Sequence, residues 1–272
     1  MPTISEIKKS ALIKLKDNWI TAIFACLTLI FSVLICYILS ELTSLFLPHY
    51  LTLLFLRLSI LFICCPLFLG VLKFFWNLCE GTCQLPSSVF QYFTSCNLYF
   101  KSVKLFIFMF LKALPIILAF HLPAIAVWVI SNSFTFEFFD IATPLWASNL
   151  EYILNGLNIA GGVATIFYLI RYHLAPVLLI ADNSMEHFEA LNMSAVISKK
   201  TNIDFIYLCL CFFGWGILSL FIIPLLFTAP YFLMCYILHV KYSVEEYNKY
   251  VERSIQLESP TFTAGAFYEE QF

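Results

Sequence analysis

The sequence predicts an all-α fold, an integral membrane bundle of six transmembrane helices with amphipathic interface helices on the cytoplasmic side. Two observations predict this fold. Hydrophobic residues make up 61% of the 272-residue chain and charged residues only 12%, whereas ordinary globular chains carry about 25% charged residues. In addition, long apolar runs alternate with short polar connectors, and these runs are long enough to cross the hydrocarbon core of a bilayer.

The basic residues predict the orientation of the chain in the membrane. Every second connector carries Lys or Arg and the intervening connectors carry none, which is the positive-inside pattern. The residues that follow this pattern are Lys8, Lys9, Lys14, Lys16, Lys73, Lys101, Lys104, Arg171, Lys199, Lys200, Lys241, Lys249 and Arg253. We therefore expect a multi-pass protein of the cell membrane with both termini in the cytoplasm. Basic residues beside membrane ends favour anionic headgroups of the inner leaflet as partners and argue against nucleic acid.

Charged residues mark the limits of the first three predicted spans. These spans are predicted at residues 19–39, 51–72 and 105–130. The first is followed by Glu41, and the second ends at Lys73. The connector after the third span, residues 131–151, contains Glu137 and Asp140 but no Lys or Arg, as expected of an outer loop.

The fourth span begins near residue 152, and two positions compete for its inner end. Arg171 marks one of them, and Asp182 marks the other if the helix continues. Pro176 favours a break there, because proline lacks the backbone donor that a helix needs and crowds the preceding turn, and we therefore favour Arg171 as the inner end.

The last apolar block, residues 204–240, is predicted to form two short spans. As a single helix it would be roughly 55 Å long, which exceeds a hydrocarbon core of about 30 Å. Pro224 and Pro230 lie near its middle, where a tight outer turn is required. Two spans also return the basic residues after Val240 to the cytoplasmic side.

These assignments divide the chain into three parts. Residues 1–18 form an amphipathic cytoplasmic helix, residues 19–242 the six-span domain, and residues 243–272 a cytoplasmic helix followed by a flexible tail. Thr3 with Glu6, and Ser243 with Glu246, match the capping-box pattern at the start of a helix.

Amphipathic segments precede the first, third and fifth spans. They are either three repeats of an interface helix with a transmembrane hairpin, or the basic loops that any polytopic protein has. Their lysines are predicted to reach lipid headgroups while the apolar faces lie in the interface. The lysines assigned to headgroup contact are Lys14, Lys16, Lys101, Lys104, Lys199 and Lys200.

The cysteines predict neither a disulfide framework nor a metal site. Most of the ten lie within predicted spans, where cysteine acts as a small apolar residue. The spacing of Cys79 and Cys83 resembles half a zinc site, but no histidine or second cysteine pair follows at ligand spacing. We therefore predict no metal and no cofactor.

Four polar residues within the predicted spans form the candidate intramembrane site, because such residues are costly in a bilayer unless paired or hydrated. These residues are Arg57, Lys112, His121 and Asn158. Lys112 and His121 lie nine positions apart and so project to opposite sides of the third span. Two prolines, Pro115 and Pro123, lie close to them.

The function of these four residues has two interpretations. Either the third helix is broken and lines a path for a proton or solute, or Lys112 extends to the cytoplasmic surface and His121 bonds to a nearby backbone carbonyl. Arg57 either binds a ligand or pairs with an acidic residue near the outer surface, for which the candidates are Glu41, Glu137 and Asp140. Asn158 and the neighbouring glycines serve either close helix packing or a substrate.

A second group of polar residues lies along the predicted inner surface. Its members are His173, Asp182, Glu186, His187 and Glu189. They are candidate ligands for a divalent metal in a membrane-embedded lipid enzyme. However, Asn183 with Glu186 also matches a helix cap, and the chain contains no HExxH or GxxxxGK[ST] motif. We therefore predict that the chain is not an enzyme.

Several short motifs resemble a family of polytopic bacterial membrane proteins known as domain-of-unknown-function family 975. They are LKDNW at 15–19, PLFLG at 66–70 followed by Phe74, Phe90 and Phe93, YHLAPVLLIAD at 172–182, EALNMS at 189–194, FFGW at 212–215 and PY at 230–231. The resemblance covers most of the membrane region and implies a six-helix bundle of bacterial origin. It implies no activity, and the sequence after Lys241 departs from the family's usual ending.

The function predicted from these observations is that of a non-enzymatic accessory or scaffold protein of the membrane. Its expected partners are the lipid bilayer and an unidentified membrane protein. The alternatives are a small transporter or channel-like protein that uses a broken third helix, and a membrane-embedded lipid enzyme.

Overall fold

The computed structural model describes residues 2–82, 85–133, 145–182, 184–219 and 221–258. Nearly all of these residues are helical, and the described part of the chain contains no strand. In chain order the helices are α1 (Ile4–Leu15), α2 (Trp19–Ser44), α3 (His49–Ser59), a π-helical turn (Ile60–Cys64), α4 (Cys65–Cys79), a 3-10 turn (Pro86–Phe90), α5 (Gln91–Thr94), α6 (Cys96–Ser133), α7 (Leu145–Ile170), α8 (Ala175–Ala181), α9 (His187–Leu218) and α10 (Ile222–Glu258).

Six segments are long and apolar enough to cross a membrane, so the predicted six-helix membrane bundle is confirmed. They are Trp19–Ser44, His49–Cys79, Cys96–Pro123, Leu154–Ala181, His187–Leu218 and Ile223–Ser254. Large apolar side chains such as Val33, Leu34 and Ile35 of α2 are exposed. Because contiguous exposed apolar surface is rare on soluble monomers, this surface is suited to lipid.

The last apolar block belongs to two helices, as predicted, with Ser219 and Phe221 in the turn between them. The predicted place of this turn is wrong, because Pro224 and Pro230 both lie within α10. The second of these helices, α10, also corrects the prediction of a separate cytoplasmic helix that begins at Ser243. Ser243 does not cap a new helix, because α10 runs without interruption to Glu258 and the Ser243 hydroxyl donates to the His239 carbonyl oxygen at 2.8 Å. The predicted cytoplasmic helix is therefore the continuation of the sixth span.

The amphipathic segments take three different forms. The first is the separate helix α1, whose predicted capping box is present: the Thr3 backbone N–H donates to the Glu6 carboxylate at 2.8 Å. The second consists of the 3-10 turn and α5, and the third is the beginning of the continuous helix α9. The apolar stripe of α1 (Ile7, Ala11 and Leu15) is buried in the bundle core, so protein covers this face.

Pro66 explains the π-helical turn in the second span. A proline lacks the N–H that would otherwise bond to the carbonyl four residues earlier, which here belongs to Phe62. The helix widens at Ile60–Cys64, and the Phe62 carbonyl oxygen instead accepts a hydrogen bond from the Tyr99 hydroxyl at 2.9 Å. A side chain of α6 thus supplies the donor that the proline removes.

The second span also makes a close backbone contact at Gly70. A Cβ atom at this position would overlap the carbonyl oxygen of Val89 in the 3-10 turn. The segment between the second and third spans therefore lies directly against α4, and only glycine allows this approach.

The core of the bundle surrounds the short helix α8. Residues 175–180 of this helix are all buried, and α4 and α9 pack against it. The stretch 234–240 of α10 is buried as well. These elements converge where the fourth span is interrupted, and this interruption is the starting point for the functional site.

Candidate functional site

The fourth span is broken at residues 171–174, in the position that Pro176 predicts. Helix α7 ends at Ile170 and α8 begins at Ala175, with Pro176 in its first turn. Proline is tolerated in the first turn of a helix because the N–H there has no intrahelical partner. The break leaves backbone carbonyl groups without helical donors.

Side chains from two neighbouring helices donate hydrogen bonds to these carbonyl groups, and a third helix supplies a donor at the other end of α8. Ser194 and Ser198 of α9 donate to the Arg171 carbonyl oxygen at 3.2 and 2.8 Å. The Tyr236 hydroxyl of α10 donates to the His173 carbonyl oxygen, and Lys73 of α4 donates to the Ile180 carbonyl oxygen at 2.6 Å. Irregular backbone within a membrane requires partners of this kind, because lipid offers none.

An aromatic cluster lies beside the break. The His173 ring stacks on Phe205, with ring centroids 4.0 Å apart and planes 19° apart. The His239 ring lies 6.0 Å from His173 and 5.9 Å from Phe205. The Tyr236 ring lies 6.0 Å from Phe205. The cluster therefore joins the break to α9 and α10.

Sequence reasoning identified only His173 in this cluster. It treated His173 as a metal ligand at the inner surface and overlooked His239, which is fully buried. The available signal was an ionisable residue inside the apolar run 204–240, which is a functional candidate by default. Its proximity to His173 was not readable from the sequence, because the two residues are 66 positions apart.

The predicted intramembrane site does not form as one constellation. His121 and Asn158 do meet, with Nδ1 and Oδ1 2.8 Å apart between α6 and α7. The partner of His121 Nδ1 is thus a side chain of α7 rather than a backbone carbonyl oxygen. Next to this pair, a Cβ atom on Gly161 would lie 2.5 Å from the Phe120 Cβ atom, so the two helices are closely packed here.

Lys112 and Arg57 lie apart from this pair. The Lys112 ammonium lies 5.6 Å from the ring centroid of Phe188 at the start of α9. Arg57 is exposed on α3. Within the described residues it forms no ion pair with Glu41, and Glu137 and Asp140 lie outside these residues. The third span, α6, is one helix through Pro115 and Pro123, which corrects the prediction of a broken third helix. The broken span is the fourth.

The alternative of a metal cluster at the inner surface finds no assembled ligand group in the described residues. Within the described residues, no group of three or more His, Cys, Asp or Glu side chains is placed to hold a metal ion. The Asp182 carboxylate accepts hydrogen bonds from the Ser184 hydroxyl at 2.6 Å and backbone N–H at 2.8 Å, which hold its pKa below the usual value. The His187 ring lies 4.8 Å from that of Phe108.

Two further predictions concern the same region. The helix cap pairs Glu186 with Glu189, whose carboxylate accepts from the Glu186 N–H at 3.3 Å; the predicted Asn183 lies outside the described residues, as does Cys83. Of the lysines assigned to headgroups, Lys101 is half-buried and the other five are exposed. The Lys200 ammonium lies 3.4 Å from the ring centroid of Tyr250, a cation–π contact within the protein.

A polar cleft of about 710 Å³ lies between α1, α9 and α10. Its lining carries charges of both signs and several tyrosines. The charged and aromatic residues are Glu6, Lys200, Asp204, Tyr242, Glu245, Glu246, Tyr247, Lys249, Tyr250 and Arg253. Sequence reasoning missed this cleft, because it depends on the unbroken continuation of α10 past Ser243.

Comparison with protein-family models, with curated proteins and with solved structures finds no match for this chain. The cleft and the helix break are therefore interpreted from their own geometry.

Proposed function

We propose that the chain is a non-enzymatic accessory protein of the cell membrane that binds a partner protein through the cleft between α1, α9 and α10. The cleft carries the proposal, because it gathers acidic, basic and aromatic side chains from three helices into one concavity of about 710 Å³. Charged patches of this kind select a partner by electrostatic complementarity. The positive-inside pattern favours a cytoplasmic position for it.

The polar residues within the spans support the same proposal. His121 bonds to Asn158, and Lys112 lies over Phe188. Each of these side chains thus has a partner within the protein that accounts for it without a solute. The resemblance to family 975, the bacterial origin and the headgroup contacts of the lysines stay predictions.

Photocrosslinking in cells tests the proposal. A photoreactive phenylalanine analogue replaces Tyr247 in the cleft or, as the matched control, Tyr50, which is 69% exposed on α3. We expect one discrete protein adduct from position 247 and none from position 50. The paired substitutions Lys249→Glu and Arg253→Glu should remove this adduct at unchanged protein abundance.

An adduct that survives the charge reversal would contradict binding through the cleft, and so would the same adduct from both positions. A reporter fused after residue 258 tests the orientation separately. A reporter that works only in the cytoplasm should be active at this position. If a reporter that works only outside the cytoplasm is active there instead, the cleft lies on the outer side of the membrane.

The helix break supports a second candidate function, a small transporter. Discontinuous membrane helices form the binding sites of many transporters, and His239 lies buried beside this break. Proteoliposomes with the protein would then conduct protons or a small solute, and His239→Leu would abolish the flux. Permeability equal to that of protein-free liposomes would eliminate this candidate.

A further inference from the structure

His173 and His239 present three buried ring nitrogens that have no hydrogen-bond partner within the described residues. These atoms are Nε2 of His173 and both Nδ1 and Nε2 of His239. The His239 side chain is 0% exposed. Buried polar atoms are almost always hydrogen-bonded, and an unpaired one is costly. The concentration of three such atoms on two neighbouring rings therefore points to a ligand.

The hydrogen bond made by His173 determines what this ligand must offer. A neutral imidazole has one N–H and one lone pair. Nδ1 of His173 lies 2.6 Å from the Ile170 carbonyl oxygen, which only accepts, so Nδ1 carries the hydrogen. Nε2 of His173 is consequently an acceptor, whereas His239 offers both a donor and an acceptor.

We propose that His173 and His239 bind an ordered water molecule between them at the break in the fourth span. This water accepts a hydrogen bond from the N–H of His239 and donates one to Nε2 of His173. Two hydrogen bonds of about 2.8 Å that meet at a tetrahedral water hold their nitrogen atoms roughly 4.6 Å apart. The ring centroids are 6.0 Å apart and the rings 24° from parallel, and a separation of roughly 4.6 Å between nitrogen atoms of the two rings is compatible with this spacing.

The surrounding groups favour water over a metal ion. A metal would take one lone pair from each ring and leave the N–H of His239 unpaired. The water pairs with that N–H and with Nε2 of His173, and it leaves only the lone pair of the second His239 nitrogen without a partner. In the described residues no third His, Cys, Asp or Glu joins the two histidines as a ligand group. Phe205 supplies an apolar wall against His173, and the Tyr236 hydroxyl already donates to the His173 carbonyl oxygen.

This water site is independent of partner binding in the cleft. It adds to the hydrogen bonding at the break, where the carbonyl groups of Arg171 and His173 already have side-chain donors. The imidazole nitrogens are the unpaired groups of that region, and a water between the two rings has the two polar partners that a buried water needs at minimum.

Solid-state NMR of the ¹⁵N-histidine-labelled protein in lipid nanodiscs tests the proposal directly. We expect a cross-peak between the ring N–H of His239 and a water proton, together with a ¹⁵N shift of His173 Nε2 that is typical of a hydrogen-bonded acceptor. Absence of the cross-peak from the assigned His239 resonance overturns the proposal. So does a stoichiometric transition metal found by elemental analysis.

Thermal unfolding gives a second test, in which a bound water and a dry site predict changes of the Tm in opposite directions. If water is bound, His239→Leu should lower the Tm, because leucine displaces the water and leaves Nε2 of His173 without a donor. If the site is dry, the same substitution should raise the Tm, because it replaces unpaired nitrogens with an apolar side chain.

Ser198→Ala is the control for the NMR experiment. It removes the hydrogen bond to the Arg171 carbonyl oxygen and should leave the cross-peak between His239 and water unchanged.

Discussion

The ammonium group of Lys73 lies 2.6 Å from the carbonyl oxygen of Ile180, so a lysine of α4 closes the C-terminal end of the buried helix α8. The last carbonyl groups of a helix have no intrahelical donors, and a cation there is favoured by the helix dipole. The sequence indicated Lys73 only as the charged end of the second span. In the folded protein it joins the second span to the broken fourth span.

Replacing Lys73 with methionine should therefore destabilise the protein. Methionine keeps the length and apolar stem of lysine but removes the charged donor. Hydrogen bonds from charged groups contribute about 1.5–3 kcal/mol, and we expect a loss of this order in the free energy of unfolding, measured by denaturant titration in mixed micelles. Lys104→Met, at an exposed position of α6, is the control and should be neutral. Equal losses from both substitutions would contradict a specific role for Lys73.

The contact between Gly70 and Val89 predicts a contrast between two glycine substitutions. Gly70→Ala should displace the segment 86–94, because the new Cβ atom overlaps the Val89 carbonyl oxygen. Gly162→Ala, at a helical position with no atom within 4 Å of its Cβ atom, should be neutral or stabilise by up to about 1 kcal/mol through helix propensity. Limited proteolysis of the connector between the second and third spans measures the displacement. Unchanged cleavage in Gly70→Ala would show that this contact is not maintained.

Features that depend on local sequence were predictable in this protein. The six spans follow from the lengths of apolar runs, the capping box of α1 from Thr3 and Glu6, and the break in the fourth span from Pro176. In each case the residues that cause the feature lie within a few positions of it. The prediction that Ser243 caps a new helix was wrong although its pattern was local. The helix of the sixth span continues through Ser243, and this continuity overrides the preference of serine for a helix start.

Features that depend on distant residues were not predictable in the same way. The apolar stripe of α1 was predicted to lie in the lipid interface, and this was wrong, because the protein core covers it. The partner of His121 lies 37 positions away on α7. The prolines of α6 indicated a break, yet membrane helices tolerate proline where neighbouring groups or local adjustments satisfy the backbone. The cleft and the pair of His173 with His239 arise only when α9 and α10 come together.

The hydrogen bond between His121 and Asn158 predicts a measurable coupling between α6 and α7. A double-mutant cycle with His121→Leu and Asn158→Leu should give a coupling free energy near 0.6 kcal/mol, about the average for such bonds between membrane helices. The cycle of Lys112→Leu with Asn158→Leu is the control and should be additive. Coupling in the control but not in the His121 cycle would contradict the observed pairing.

The sulfur atoms of Cys36 and Cys64 lie 3.9 Å apart, which predicts a site-specific crosslink between α2 and the π-helical turn. A disulfide needs about 2.05 Å between sulfur atoms, and small side-chain rotations close the remaining gap. Iodine should oxidise the two thiols to a disulfide, with release of two protons and formation of iodide. Proteolysis without reductant should then yield joined fragments, which Cys36→Ser abolishes and Cys26→Ser preserves. Failure of the crosslink in folded protein would contradict the packing of these two spans.

The capping box of α1 predicts a pH dependence with a defined sign. The Thr3 backbone N–H and then its hydroxyl hydrogen-bond to Glu6, and they hold the pKa of the Glu6 carboxyl below its usual value, with a smaller contribution from Lys9. A carboxyl whose pKa is lower in the folded state stabilises that state above its unfolded pKa, and the contribution is lost as the pH falls through the folded pKa. The start of α1 should therefore loosen in acid and not in base.

Substitution of Thr3 separates this effect from helix formation itself. Thr3 has φ −66°, which proline also adopts, so Thr3→Pro removes both donors and keeps the backbone direction. The pKa of Glu6, measured by NMR titration of ¹³C-labelled glutamate, should rise towards its usual value in this variant. Thr3→Ser retains both donors and should leave the pKa low. A pKa that is unchanged by Thr3→Pro would assign the shift to Lys9, and Lys9→Met would then raise it.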